Sequence, residues 1–100
     1  MADTIIVIVD EDLDDIVPIF LANRQKDIIT IQDAVAKGDY ETISILGHGM
    51  KGVGASYGFE PVTDLGIRLE QGAKEGDAAK ISQAVSELAA YLARVEVRYE

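Results

Sequence analysis

The sequence predicts an all-α fold, an antiparallel four-helix bundle preceded by a short N-terminal arm whose structure the sequence leaves open. Apolar residues recur at helical spacing in four successive segments. Short connections that carry glycine, aspartate or proline join these segments, as expected for neighbouring helices of a bundle. With 100 residues, 48% of them hydrophobic and 27% charged, the chain has the size and composition of one globular domain with one core.

The N-terminal segment "TIIVIVD", residues 4–10, is rich in β-branched residues and locally resembles a strand. No other segment has this character, so three possibilities stay open: an arm packed on the domain, a strand that pairs between molecules, or a first helical turn. We therefore divide the chain into an arm at residues 1–10 and a bundle at 11–100. A long first helix is predicted from Asp12, and Pro18 lies within it, so the helix either begins just before the proline or kinks there.

The remaining three helices have recognisable starts and stops. "KGD", residues 37–39, supplies a glycine past one helix and an aspartate that can cap the next, which is predicted from about Tyr40 to Tyr57. Pro61 stands at the start of a third helix that should end near Gly76, and Asp77 can cap the fourth helix. The fourth helix has the most regular apolar seam, formed by Ile81, Val85, Leu88, Leu92, Val95 and Tyr99.

The composition excludes several function classes. A net charge of −9 repels phosphate backbones and anionic lipids, so neither nucleic acid nor a membrane is an expected partner. The chain has no cysteine and one histidine, which excludes disulfides, thiolate catalysis and cysteine- or histidine-rich metal sites. Five carboxylates between Asp10 and Asp15 are expected to form a solvated helix start rather than a cation site. The longest apolar run is too short for a membrane span, and we expect a cytoplasmic protein.

The stretch "ILGHGMKGVGAS", residues 45–56, contains the only histidine, His48, and four of the nine glycines. Such glycine density is typical of a loop, yet at about 100° per residue the apolar residues fall on one helical stripe opposite His48. The members of that stripe are Ile43, Leu46, Met50, Val53 and Tyr57. Three glycines on one flank, Gly47, Gly54 and Gly58, would let a neighbouring helix approach closely. The stretch is therefore predicted to be a helix that exposes His48.

Lys51 and Gly52 project on the same side of this predicted helix as His48. An exposed imidazole is mostly neutral near pH 7 and can act as a nucleophile through its unprotonated nitrogen. A lysine three residues later can neutralise an incoming phosphoryl group, and a glycine four residues later leaves room for the protein that delivers it. A nucleophile, a counter-charge and access for a partner protein are thus met within five residues.

The motif "HGMKGVGASYG", residues 48–58, resembles the signature of the histidine-containing phosphotransfer (HPt) domain of two-component phosphorelays. The resemblance implies a carrier in which His48 accepts a phosphoryl group from a receiver-domain phospho-aspartate and passes it to another receiver. It implies that Lys51 stabilises the phosphoryl oxygens and that Gly52 gives the receiver access. The carrier is stoichiometric and not an enzyme, needs no cofactor of its own, and relies on a divalent metal bound by the receiver. A hybrid histidine kinase is a further candidate partner, and the chain could be a fragment of one.

Two alternatives belong to other classes. A four-helix bundle that only binds proteins, without phosphotransfer, would use the same glycines for docking. A receiver domain is suggested by "IIVIVDED", residues 5–12, but it would need several buried strands that alternate with helices, and no later segment has that pattern. The sequence also has no phosphate-binding loop for ATP, so it cannot be a complete histidine kinase.

Overall fold

The computed structural model describes residues 3–100. Four helices follow one another along the chain: α1 (Val17–Lys37), α2 (Tyr40–Val53), α3 (Glu60–Glu75) and α4 (Ala78–Arg94). Each packs against its neighbours in sequence, and α1 also packs against α4, which closes the bundle. The predicted all-α four-helix bundle is confirmed.

The connections between the helices use the capping residues that the sequence predicted. Gly38 and Gly76 adopt left-handed backbone angles, with φ of 70° and 64°, and end α1 and α3. Asp39 and Asp77 then cap α2 and α4, because each side chain accepts a backbone N–H from the first turn of the helix that follows. These local signals fix where one helix stops and the next begins.

Of the two possibilities at Pro18, the structure shows a helix that begins just before the proline, whereas the predicted end of the second helix was wrong. The first helix begins at Val17, with Pro18 in its first turn, and the residues from Glu11 to Leu13 form a separate 3₁₀ turn. Proline cannot donate a backbone hydrogen bond, so it fits the first turn, where none is needed. The second helix ends at Val53 instead of Tyr57.

A 3₁₀ turn, Ala55–Tyr57, follows α2 and leads to Gly58, whose φ is 90°. A residue with this backbone angle cannot continue a helix, so Gly58 is part of the connection and not of a helical flank. Of the predicted apolar stripe, Ile43 and Met50 are buried, whereas Val53 at the end of the helix is 36% exposed. The stripe therefore holds for the body of α2 and fails at its last turn.

Two strands complete the structure, β1 (Ile5–Val9) and β2 (Val95–Tyr99), and they pair in parallel with Ile5 opposite Val95 and Val9 opposite Tyr99. The prediction that no other segment has strand character was wrong, because the N-terminal strand pairs with residues 95–99 of its own chain. Of the three possibilities left open, the structure shows a strand packed on its own domain, since Val9 is buried in the core.

The fourth helix is correspondingly shorter than the apolar seam suggested. It ends at Arg94, and the seam residues Val95 and Tyr99 belong to β2. Valines at 95 and 97 alternate with Glu96 and Arg98, which is the period of a strand. The spacing of four residues from 95 to 99 fits both periods, and the β-branched residues together with the pairing to β1 favour the strand.

The core lies between the four helices and extends beneath the strand pair. Its largest fully buried side chains are Phe59, Ile31, Ile43, Met50, Leu69, Ile81, Leu88, Val17 and Val62. Apart from the hydroxyl of Tyr91, which is buried without a hydrogen-bond partner, the buried side chains of the described residues are apolar, so the interior is held by apolar packing. Near the end of α2, Phe20 stacks on Phe59 and meets Tyr57 edge to face, with ring centroids 5.2 Å apart in both pairs.

Candidate functional site

His48 lies in the middle of α2, and its side chain is 69% exposed. Its Nδ1 atom lies 3.0 Å from Oε2 of Glu70, which comes from the middle of α3. Among the residues that the structure describes, no protein atom pairs with the second ring nitrogen, Nε2. One nitrogen is therefore held by a neighbouring helix, and the other is open to solvent.

Glu70 joins the histidine to Lys51. Its other carboxylate oxygen, Oε1, lies 3.0 Å from Nζ of Lys51, and the glutamate side chain is only 15% exposed. The hydrogen bond from Lys51 lowers the pKa of Glu70, and the contact with His48 acts in the same direction against the opposing effect of burial. Glu70 is therefore an ionised carboxylate at neutral pH.

The charge state of Glu70 assigns the proton on the imidazole. An ionised carboxylate only accepts hydrogen bonds, so Nδ1 of His48 must donate in this contact. In the neutral imidazole the remaining nitrogen, Nε2, then carries the lone pair. The contact with Glu70 thus selects the imidazole tautomer in which the exposed nitrogen, Nε2, can act as a nucleophile.

Glycines at the contact between α2 and α3 bring Glu70 within reach of His48. A Cβ atom on Gly47 would lie 2.7 Å from the backbone nitrogen of Glu70, and one on Gly66 would lie 2.6 Å from the backbone nitrogen of Lys51. No side chain fits in either place, so the two helix backbones touch. A third close contact occurs at Gly54, where a Cβ would lie 2.6 Å from the backbone nitrogen of Thr63.

The surface around His48 is open at two other glycines. A Cβ on Gly49 or Gly52 would meet no atom within 4 Å, in contrast to the tight contacts at Gly47 and Gly54. The four glycines of the stretch thus divide into two at the helix contact and two on the free surface. Gly49 and Gly52 both lie within α2, where glycine lowers helix stability. Because no atom of the described residues lies close to where a Cβ of either one would stand, packing within the chain does not explain them.

A shallow groove of about 350 Å³ between α1 and α2 borders this surface. Several of its lining residues are large and apolar yet exposed: Ile16 at 44%, Ile19 at 63%, Ile45 at 64% and Val53 at 36%. Arg24 lies at the groove, bonded to Asp27 at 2.8 Å and placed 4.8 Å over the ring of Phe20. A contiguous exposed apolar surface of this kind is typical of a protein interaction site.

The predicted site residues are thus placed in one region. The structure brings His48 and Lys51 together through Glu70 and leaves the space over Gly52 open. Glu70 was not predicted from the sequence, where its only signal was its position one helical turn after Gly66, on the same face of α3. The chemical roles of His48, Lys51 and Gly52 stay predictions.

Two other features concern metals and membranes. Within residues 3–100, no three carboxylate or histidine side chains converge as a metal site would require. Asp10, in the acidic cluster, instead caps the first 3₁₀ turn by accepting the backbone N–H of Asp12. None of the described helices has the length and apolar character needed to cross a bilayer.

The fold and the site define a class of protein, a four-helix bundle that presents one imidazole to solvent. The family model described as "Hpt domain" matches residues 15–97, and the chain belongs to the Hpt domain family. Members of this family are histidine phosphotransfer carriers of phosphorelays, not classical enzymes, and interact with response-regulator receiver domains. No curated protein and no solved structure matches the chain.

Proposed function

We propose that the protein is a phosphorelay carrier in which Nε2 of His48 accepts a phosphoryl group from the phospho-aspartate of one receiver domain and passes it to another. The observation that carries the proposal is the contact between Nδ1 of His48 and Glu70, which engages one ring nitrogen and leaves Nε2 exposed to solvent without a protein partner among the described residues. A nucleophile on a convex helical surface, without a closed cavity around it, suits a reaction in which the second protein supplies the rest of the active site.

The transfer balances with the groups of the two proteins alone. The Nε2 lone pair attacks phosphorus, an N–P bond forms, and the P–O bond to the receiver aspartate breaks, with its electron pair returning to the carboxylate. The proton on Nδ1 stays in place, and the positive charge that develops on the ring is stabilised by Glu70 3.0 Å away. Transfer to the second receiver is the same step in reverse.

Lys51 would stabilise the charge of the phosphoryl group during this step. Its ammonium has three N–H donors, one of which is bonded to Glu70, so the others can reach phosphoryl oxygens. The side chain is 40% exposed and belongs to the same helix face as His48. We further propose that this chain needs no cofactor of its own and that the divalent metal that assists the transfer is bound by the receiver.

The apolar groove beside His48 is the surface on which we place the receiver. Its exposed isoleucines lie on α1, on α2 and at the residue just before α1, and the open backbone at Gly49 and Gly52 would let the two proteins approach closely. The same groove supports the second candidate function, a docking module without phosphotransfer. A receiver within a hybrid histidine kinase would fit this surface equally well.

Phosphotransfer assays separate the two functions. The purified chain is incubated with radiolabelled phospho-receivers, and we expect an acid-labile, alkali-stable label on the wild type and none on His48→Gln. Circular dichroism should show that His48→Gln keeps the helical fold, since its side chain is mostly exposed. If receivers bind the chain but no receiver labels it, the docking function is correct and the carrier function is wrong.

A further inference from the structure

The strand pair has one face on the bundle and one face in solvent. Ile5, Val7 and Val9 of β1 turn toward the core, together with the valines of β2. The outer face carries Ile6 and Ile8 from β1, which are 48% and 59% exposed, and Glu96 and Arg98 from β2. We call these four residues the outer face of the sheet.

This outer face is unusual for a parallel sheet. Parallel strands normally have both faces covered, and a sheet of only two strands is marginally stable when one face meets water. Here two isoleucines stand next to each other on the uncovered face, where they add apolar surface without packing on the bundle. The outer face therefore has the character of a surface that is buried in an assembly.

The charges of the outer face are self-complementary. In the ladder Glu96 lies beside Ile6 and Arg98 lies beside Ile8, so an apolar column runs next to a column with one charge of each sign. Consider a two-fold axis that lies between two such faces, parallel to both sheets and perpendicular to the strands at the level of Val97. This axis would stack the two faces with their strands running in opposite directions. Each Glu96 would then face Arg98 of the second copy, and each Ile6 would face Ile8 of the second copy.

We propose that a second copy of this chain covers the outer face, in a two-fold dimer in which the two sheets pack face to face. The bundles then lie on the outer sides, away from the interface, because the inner faces of both sheets remain on their own cores. Stacked sheets are separated by about 10 Å, which leaves room for the isoleucines to interdigitate and the charged side chains to pair.

The dimer is weak. A five-residue strand is about 16 Å long and the pair is about 10 Å wide, so the face measures about 160 Å², far less than the roughly 800 Å² per partner of a standard stable interface. The charge of −9 on each copy adds a long-range repulsion. The dimer should therefore form at high micromolar to millimolar concentration and not at the lowest concentrations.

Sedimentation velocity on the full chain, from about 10 µM to about 1 mM, tests the association. We expect the dimer fraction of the wild type to rise with concentration, and the double variant Ile6→Ser/Ile8→Ser to stay monomeric. Ile29→Ser is the matched control, since this isoleucine is 69% exposed on α1. It should associate like the wild type. A wild-type chain that is monomeric at every concentration overturns the proposal and would mean that another protein covers the outer face. The proposal is also overturned if the Ile29→Ser control dissociates as much as the Ile6→Ser/Ile8→Ser variant.

Charge exchange tests the two-fold arrangement itself. Glu96→Arg places like charges opposite each other across the axis, and so does Arg98→Glu, so each should weaken the association by at least about tenfold. The double variant restores opposite charges and should return to within about threefold of the wild type. Within one copy these residues form only an exposed pair at 3.2 Å, so the folding of the variants should be unaffected. A double variant as weak as the single ones contradicts this geometry.

Discussion

The Nδ1 atom of His48 lies 3.0 Å from Oε2 of Glu70, although the two residues belong to different helices. The contact is possible because the backbones of α2 and α3 touch at Gly47 and Gly66. Helix contact and imidazole chemistry are thereby linked, since the packing that stabilises the bundle also determines which ring nitrogen is free.

Replacing Glu70 should slow phosphotransfer without removing the acceptor. Glu70→Gln can still accept from Nδ1 but lacks the negative charge that stabilises the phosphorylated ring, so we expect a single-turnover rate about tenfold lower, or about 1.4 kcal/mol in the barrier. Glu70→Ala should be slower still, because the ring is no longer oriented. Glu87→Gln is a matched control, as this glutamate pairs with Arg68 instead of the histidine. Equal rates for Glu70→Gln and wild type would exclude the charge effect.

Lys51→Ala should slow uptake of the phosphoryl group and leave the fold intact. The lysine side chain is 40% exposed, so its loss removes a donor from the site and little packing from the core. Lys74→Ala provides the comparison, because Lys74 lies on α3 near Glu70 and makes no hydrogen bond to it. Stopped-flow transfer from a phospho-receiver should distinguish the two variants while their thermal unfolding midpoints stay similar. Equal slowing by both variants would point to general charge and not to a specific contact.

Glycines of the helix contact and of the open surface should respond oppositely to alanine. Gly66→Ala places a methyl group 2.6 Å from the backbone of α2, and we expect a loss of about 1–3 kcal/mol in the free energy of unfolding. Gly49→Ala meets no atom within 4 Å and should raise the free energy of unfolding by up to about 1 kcal/mol through better helix propensity. Urea denaturation measures both. A stable Gly66→Ala variant would mean that α2 and α3 can separate at little cost.

A larger side chain at Gly52 tests access to the histidine. Gly52→Gln should fold normally, because the space over this residue is open, but its side chain would stand where the receiver approaches. We therefore expect slower labelling by a phospho-receiver and unchanged labelling by small phosphoramidate, which needs no docking surface. Slower labelling by both donors would indicate a distorted site instead of a blocked approach.

Acid should destabilise the protein through three carboxyl groups whose pKa values are lowered in the fold. Lys51 lowers the pKa of Glu70, Arg68 lowers that of Glu87, and Thr42 lowers that of Asp39, in each case through a hydrogen bond to the carboxylate. A lowered pKa stabilises the folded state above the ordinary carboxyl values of 4.5 and 3.8, and this contribution disappears as the pH falls through the lower folded-state values.

The unfolding temperature should therefore be constant near neutral pH and fall below about pH 4.5. The double variant Glu70→Gln/Glu87→Gln lacks two of the three groups, so its unfolding temperature should depend less on pH in this range. Calorimetry from neutral to acidic pH compares the two proteins, and parallel curves would contradict the assignment of the effect to these groups.

The features that could be predicted from the sequence are those that depend on neighbouring residues in the chain. Gly38 and Asp39 mark a helix end and a helix start because they satisfy backbone groups within a few residues, and such signals are visible in any window of the chain. The exposure of His48 followed from helical spacing around it. Glu70 escaped prediction because its contact depends on the separation of two helices, which the glycines of α2 and Gly66 set jointly.

The strand pair was not predicted because it too depends on a contact between residues that are distant in the sequence. The spacing of Val95 and Tyr99 suits a helix as well as a strand, and the choice between them depends on the presence of β1 alongside. The alternation of Val95 and Val97 with Glu96 and Arg98 is a local strand signal, but nothing within residues 95–99 identifies β1, at the other end of the chain, as the partner. Long-range pairing overrode the helical spacing at this point.

The two strands lie on either side of the four helices in sequence, and this separation has a consequence for folding. Their ladder closes a loop that contains the whole bundle, so its entropic cost is offset only after the helices have collapsed. We expect β1 and β2 to be the last elements to acquire protected amides during refolding and the first to exchange in the native state. Ile6 and Ile8 thus share a surface with Glu96 and Arg98 only in a molecule that has completed folding, while an early intermediate carries the histidine helix without that surface.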